Sequence, residues 1–196
     1  MKIKKITAFP IRITRDEADE GKDRPAVIDY GDYFIDKTAF TSIYSKHHET
    51  TVIKIETDTG IVGWGEAQSP VSPRTTQTII EDLVRPLIMG RDPFDIEAIW
   101  TRNYGAMRER GHPTGFYIDA IGGTDIALWD IVGKATGKPV HKLAGGRYRD
   151  KIKLYAGIGG TDPETVADEA EEHVGYGYQA LKLHLLLDVE GVAEIA

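Results

Sequence analysis

Cysteine is absent from the 196 residues, so the chain can hold no disulfide, no thiolate metal site and no cysteine nucleophile. Long apolar runs are absent too. None approaches the roughly 20 residues that a membrane-spanning helix needs, and no membrane partner is expected. Basic residues are in the minority: 24 Lys and Arg stand against 31 Asp and Glu, a formal net charge of −7. That balance argues against a nucleic-acid partner, whose phosphates demand a basic face. The opening residues Met1-Lys2-Ile3-Lys4-Lys5 lack the apolar stretch of a secretory signal, so a cytoplasmic location is the default. Apolar residues at 41% and charged residues at 28% are ordinary for a folded soluble domain, which excludes a disordered acidic tail or a collagen-like repeat.

What remains is a chain with two kinds of periodicity. Phe9, Ile11 and Ile13 alternate with other residues from Lys5 to Ile13, which predicts a strand with its odd positions buried. The stretch from Arg15 to Asp32 is polar and reads as a long loop without a core face. From Thr50 to Ala67, two β-rich runs flank Asp58-Thr59-Gly60 and predict a hairpin. Helical spacing follows. Arg74 to Met89 carries Ile79, Ile80, Leu83, Leu87 and Ile88. Asp92-Pro93 opens a second helix, with Ile96, Ile99 and Trp100. Thr114 to Ala135 carries Ile118, Ile121, Leu128, Trp129 and Val132, and Gly137 and Pro139 close it. The pattern then becomes strand, helix, strand, helix: a strand over Ile152–Ala156, a helix capped by Thr161 with Glu164 reaching back, a strand over Gln179–Leu185 and a helix from Val189. Two parallel strands leave raw edges and open faces, so the chain is expected to be part of something about twice as long.

Several local patterns weaken on inspection. His47-His48-Glu49 looks like a metal cluster, but adjacent strand residues point to opposite faces and chelate poorly. Gly157-Ile158-Gly159-Gly160 would need a glycine where Asp162 stands to read as a dinucleotide loop. Glu66, Asp125 and Asp130 read as scaffold.

Two motifs carry a resemblance. One is Gly63-Trp64-Gly65-Glu66-Ala67. The other is Ala127-Leu128-Trp129-Asp130-Ile131-Val132-Gly133-Lys134, followed by Gly137-Lys138-Pro139-Val140 and Leu143-Ala144-Gly145-Gly146. In this order and spacing the chain resembles the enolase superfamily, in its mandelate racemase/muconate lactonizing enzyme group. The resemblance implies an α+β capping domain, a three-stranded antiparallel sheet with a helical bundle, over residues 1–138. It implies the first two strand–helix units of a modified TIM (β/α) barrel over residues 139–196. It also implies removal of the proton α to a carboxylate, with Mg2+ held by ligands on barrel strands that this chain does not contain, so no metal ligand is named here. A homo-oligomer is the expected assembly.

Lys182 and His184 stand where many members of the group have a Lys-x-Lys pair. Residues at i and i+2 of a strand share a face, and polar residues at a barrel strand's C-terminal end read as catalytic. Histidine, with a reference pKa of about 6.5, is a competent base near neutrality. Arg15, Tyr33 and His47 are candidate substrate contacts, because the family's specificity loop lies between the first two strands. The expected partner is a small-molecule carboxylate, an acid sugar, and the expected activity that of an acid-sugar dehydratase. Racemase, epimerase or cycloisomerase activity on the same scaffold is the alternative, and a non-catalytic assembly fragment is the rival from another class. The 196 residues alone are expected to be inactive.

Overall fold

The computed structural model describes residues 1–15, 27–36, 42–160 and 162–185. They fall into two compact units, the first holding described residues 1–15, 30–34 and 43–147, and the second holding the remainder.

The first unit is an antiparallel sheet under a layer of helices. Strand β1 (Ile3–Thr14) pairs with β5 (His47–Thr57), which pairs with β6 (Val62–Gln68). The hairpin is the one the alternating runs predict, and Thr57 closes it by accepting from Gly60 N–H and bonding Ile61 O. The face of β1 is not the predicted one. Ile6 and Ala8 are buried, whereas Phe9 is 39% and Ile13 60% exposed. A register irregularity between Ile3 and Lys5 is the cause. One extra residue there exchanges odd for even positions, so that Ile3 and then Ile6 and Ala8 share the core. Phe9 lies instead on the outer face, 6.4 Å from the Trp64 ring.

The predicted long loop is partly strand, because β2 (Val27–Asp29) lies within it, and β3 (Tyr33–Asp36) and β4 (Ser42–Ser45) follow it. The aromatic and β-branched residues at Tyr33, Phe34, Ile43 and Tyr44 favour extended backbone, and Phe34 stacks on Tyr44 at 5.5 Å.

The first helix is interrupted. Helix α1 (Pro73–Ile79) passes through a π-turn (Ile80–Val84) into α2 (Arg85–Ile88). Pro86 has no N–H and its ring crowds the carbonyl four residues back, so the helix widens just before it, with Arg85 N–H reaching Ile80 O. The wider turn moves the core stripe to Ile80, Val84 and Ile88 and leaves Leu83 exposed. Helix α3 (Ile96–Arg108) follows an Asp92 turn in which Asp92 Oδ1 accepts from Phe94 N–H at 3.0 Å. Helix α4 (Phe116–Thr136) ends at Gly137, left-handed at φ 64°. A short helix α5 (Val140–Leu143) comes next, which the periodicity did not signal.

The sheet and α4 meet through glycines. A Cβ on Gly65 would stand 2.1 Å from Gly123 O, one on Gly63 2.2 Å from Ala127 O, and one on Gly123 2.6 Å from Ala67 N. The buried face of α4 is therefore mostly small (Ala120, Gly123, Thr124, Ala127) with Ile121, Leu128 and Ile131 around it. Asp130 accepts from Trp64 N–H at 2.8 Å, and Lys134 donates to Val62 O at 2.8 Å. Two backbone groups on the free edge of β6 thus find partners on the helix. Asp130 is scaffold, as expected. Burial pushes the Asp125 carboxyl above its ordinary value, against a hydrogen bond from Trp129 that lowers it.

The second unit contains β7 (Ala156–Gly160), α6 (Pro163–Gly175) and β8 (Leu181–Leu185), with β7 and β8 parallel. The first strand sits later than predicted. Ile152, Leu154 and Tyr155 are exposed and outside it, while Ala156 and Ile158 are buried. Pairing with β8 decides the matter over local apolarity, because Ala156 aligns with Leu181 and Gly160 with Leu185. The cap of α6 is Asp162, whose carboxylate accepts from Thr165 N–H at 2.8 Å, and Thr161 lies outside the described residues. So does the predicted last helix. Among the described residues no helix is long and apolar enough to cross a membrane.

The glycine contact yields a paired prediction. Gly65→Ala is expected to destabilise the first unit by about 3 kcal/mol or more, since backbone blocks the new methyl. Gly105→Ala in α3, where nothing lies within 4 Å, is expected to stabilise by up to ~1 kcal/mol. Urea denaturation followed by circular dichroism measures both.

Candidate functional site

In the first unit, chemistry-bearing side chains gather where β1 ends and β5 begins. Arg12 lies opposite Glu49, and Thr14 opposite His47. Strand alternation puts His47 and Glu49 on one face and His48 on the other. The Arg12 guanidinium is a three-way fork: Nε donates to Glu49 Oε1 at 2.6 Å, Nη1 to Asp32, and Nη2 to the Tyr33 hydroxyl at 3.3 Å. The Glu49 side chain is 0% exposed, so this pair has little of the solvent screening that weakens surface ion pairs. Ser72 N–H donates to both Tyr33 Oη and Glu49 Oε2, each at 3.1 Å. Chiefly the hydrogen bond from Arg12 holds the Asp32 carboxyl below its ordinary value, with His47 adding to it. His47 Nε2 lies 3.5 Å from Asp32 Oδ1.

A cavity of about 400 Å³ opens beside this network, lined by Arg15, His47, His48, Glu49, Thr50 and Glu66 among others. Arg15 Nε and His47 Nδ1 are buried without a hydrogen-bond partner, while Thr50 donates to Glu66 Oε1 at 2.7 Å. The space thus has both unpartnered nitrogens and a carboxylate at its walls. Of the three predicted substrate contacts, Arg15 and His47 line the cavity together. Tyr33 is tied by its hydroxyl to Arg12, Glu49 and Ser72. The sequence does not single out Arg12, Asp32 or Ser72, and it brings Glu49 forward only within the His47-His48-Glu49 cluster, set aside as a poor chelate. The direct opposition of Arg12 and Glu49 follows only once the strand register is known.

In the second unit, Gly157 aligns with Lys182 and Gly159 with His184. Aligned residues of neighbouring strands share a face, so Lys182 and His184 lie on the face where β7 contributes no side chain. Nothing lies within 4 Å of a Cβ built on Gly157, and Lys182 is exposed. The other face carries Ala156 and Ile158, both buried, with Val166 of α6 buried beside them in the same unit. Among the described residues no group of three or more His, Asp or Glu side chains could hold a metal ion.

The Arg12–Asp32 pair has a pH signature. An unfolded aspartate ionises near 3.9, and the folded carboxyl ionises below that, so the pair's stabilisation is full above the unfolded value. It is lost as pH falls through the lower folded value. Wild type is expected to be more stable than Asp32→Asn at pH 6, and the gap to close toward pH 2. Urea midpoints across that range measure it.

The sequence from residue 36 to residue 145 matches the mandelate racemase/muconate lactonizing enzyme N-terminal domain. Over 132 residues, 67% of this chain, it is 45% identical to a D-galactonate dehydratase of Pectobacterium atrosepticum and 39% identical to one of Verminephrobacter eiseniae, covering 34% of each. A Sinorhizobium meliloti structure provisionally named an isomerase superposes with TM-score 0.89 at 38% identity, over 100% of this chain and 51% of that one. The chain thus spans about a third of the length of these curated relatives and about half of that structure. By its matched sequence and by its glycine-packed sheet and helix, the chain belongs to the mandelate racemase/muconate lactonizing enzyme family of the enolase superfamily, through that family's N-terminal domain.

Proposed function

We propose that this chain supplies the capping domain, residues 1–138, and the first two strand–helix units of a (β/α) barrel, residues 139–196, in an acid-sugar dehydratase. The substrate class is a polyhydroxy carboxylate. The observation that carries the reading is the register of β7 and β8, which sets Lys182 and His184 opposite Gly157 and Gly159, with open space beside Gly157. Identities of 39–45% to two D-galactonate dehydratases support the substrate class.

In this reading His184 takes the proton α to the substrate carboxylate, and the Lys182 ammonium pairs with the carboxylate and its developing charge. The β-hydroxyl leaves with a proton from a general acid, and the enol product ketonises to a 2-keto-3-deoxy acid. Taken by itself, the first unit's cavity offers unpaired nitrogens of Arg15 and His47 and the Glu66 carboxylate to a hydroxylated ligand. The described residues do not fit the magnesium site that the family resemblance implies. The steps assigned to this chain are accordingly proton transfer and carboxylate pairing alone.

The name of the Sinorhizobium meliloti structure favours a second reading, isomerisation on the same scaffold. Incubation of the intact protein with D-galactonate in deuterated water separates the two. Loss of water to a 2-keto-3-deoxy acid supports the dehydratase, and α-deuteration with retention of the β-hydroxyl supports the isomerase. His184→Asn is expected to lower α-proton exchange by about 10²–10⁴-fold, as loss of a positioned base does. Exchange at the wild-type rate in that variant would put the base elsewhere.

A further inference from the structure

We infer that Glu49 is a positioning residue: its covered carboxylate holds the turn from Ser69 to Pro73 in the one conformation that forms a wall of the adjoining cavity. The turn is unusual. Ser72 sits at φ 53°, ψ 56°, and is the only non-glycine with positive φ among the described residues. Side chains avoid that left-handed region, so surrounding contacts must hold it there. The contacts on its backbone N–H are the Glu49 carboxylate and the Tyr33 hydroxyl, both at 3.1 Å. The other Glu49 oxygen is engaged by Arg12, which also binds Asp32. One buried carboxylate therefore links the end of β1, the Asp32-Tyr33 corner and the turn after β6.

Pro70 of that turn lines the cavity together with Arg15 and His47. Without the charged acceptor, the Tyr33 hydroxyl alone remains on the Ser72 N–H, and the turn is expected to relax toward a right-handed or extended backbone, which moves Pro70 and reshapes the wall. Glu49 thus acts on ligand affinity through the turn rather than by contact. The inference rests on the reading that the first unit's cavity binds the hydroxyls of an acid sugar.

The test uses the intact protein, with amide hydrogen exchange over residues 69–73 and steady-state turnover of D-galactonate as separate readouts. Glu49→Gln is expected to raise exchange at Ser72 at least about tenfold. It is expected to raise KM about tenfold, with kcat changed by less than about threefold. Adding Ser72→Gly, which tolerates the left-handed backbone unaided, is expected to return both exchange and KM to within about threefold of wild type. Two results overturn the inference. One is unchanged protection of Ser72 in Glu49→Gln. The other is a double variant that regains protection but not KM, since Glu49 would then touch the ligand itself. If wild type fails to turn over D-galactonate, the functional reading falls, and exchange at Ser72 alone still decides whether Glu49 holds the turn.

Discussion

The first unit depends on how closely α4 lies against β6. With Gly63, Gly65 and Gly123 at the crossing, main chain meets main chain at distances no Cβ would allow. Dispersion falls steeply with separation, so this approach brings many atoms into contact at once. It also brings Asp130 and Lys134 within reach of Trp64 N–H and Val62 O. An edge strand with satisfied backbone groups resists both water and foreign strands. The Gly-Trp-Gly-Glu-Ala and Ala-Leu-Trp-Asp motifs are the two halves of this one contact, which explains why they are informative together.

Much of this was legible in the primary structure because the governing signal is local. The hairpin at Asp58-Thr59-Gly60 and the end of α4 at Gly137 depend on backbone conformations that few residues supply. The misreadings share another cause. Phe9 and Ile13 alternate as convincingly as Ile6 and Ala8, and only the irregularity near Lys5 selects between the two faces. Pro86 was visible, but whether a helix breaks or widens to a π-turn depends on the packing available to Val84 and Ile88. Ile152 to Tyr155 is more apolar than Gly157 to Gly160, yet pairing with Leu181–Leu185 places the strand over the glycines.

The candidate sites divide along the same line. Alternation alone assigns Lys182 and His184 to one face. Arg12 and Glu49 are 37 residues apart, and nothing local to either announces the other. Glu49 and Ser72, at and near the cavity's border, are set by pairing across strands and by a turn conformation. Both are properties of the assembled sheet. Arg15 and His47 were reachable as isolated polar residues near the specificity loop that the resemblance implies, but their common cavity was not.

Glycine has opposite consequences in the two units. At Gly63 and Gly65 the missing side chain is replaced by another backbone, and the space is filled to contact. At Gly157 the missing side chain is replaced by nothing within 4 Å, while Ile158 between the two strand glycines is buried. A strand that is packed on one face and bare on the other spends its only large side chain on stability. The bare face then belongs to whatever the neighbouring strand presents, here the Lys182-Leu183-His184 alternation. Substituting a larger residue at Gly157 would leave Ile158 and the fold of β7 in place while occupying that face. The glycines of the first unit thus serve its packing, whereas Gly157 of the second leaves its face open.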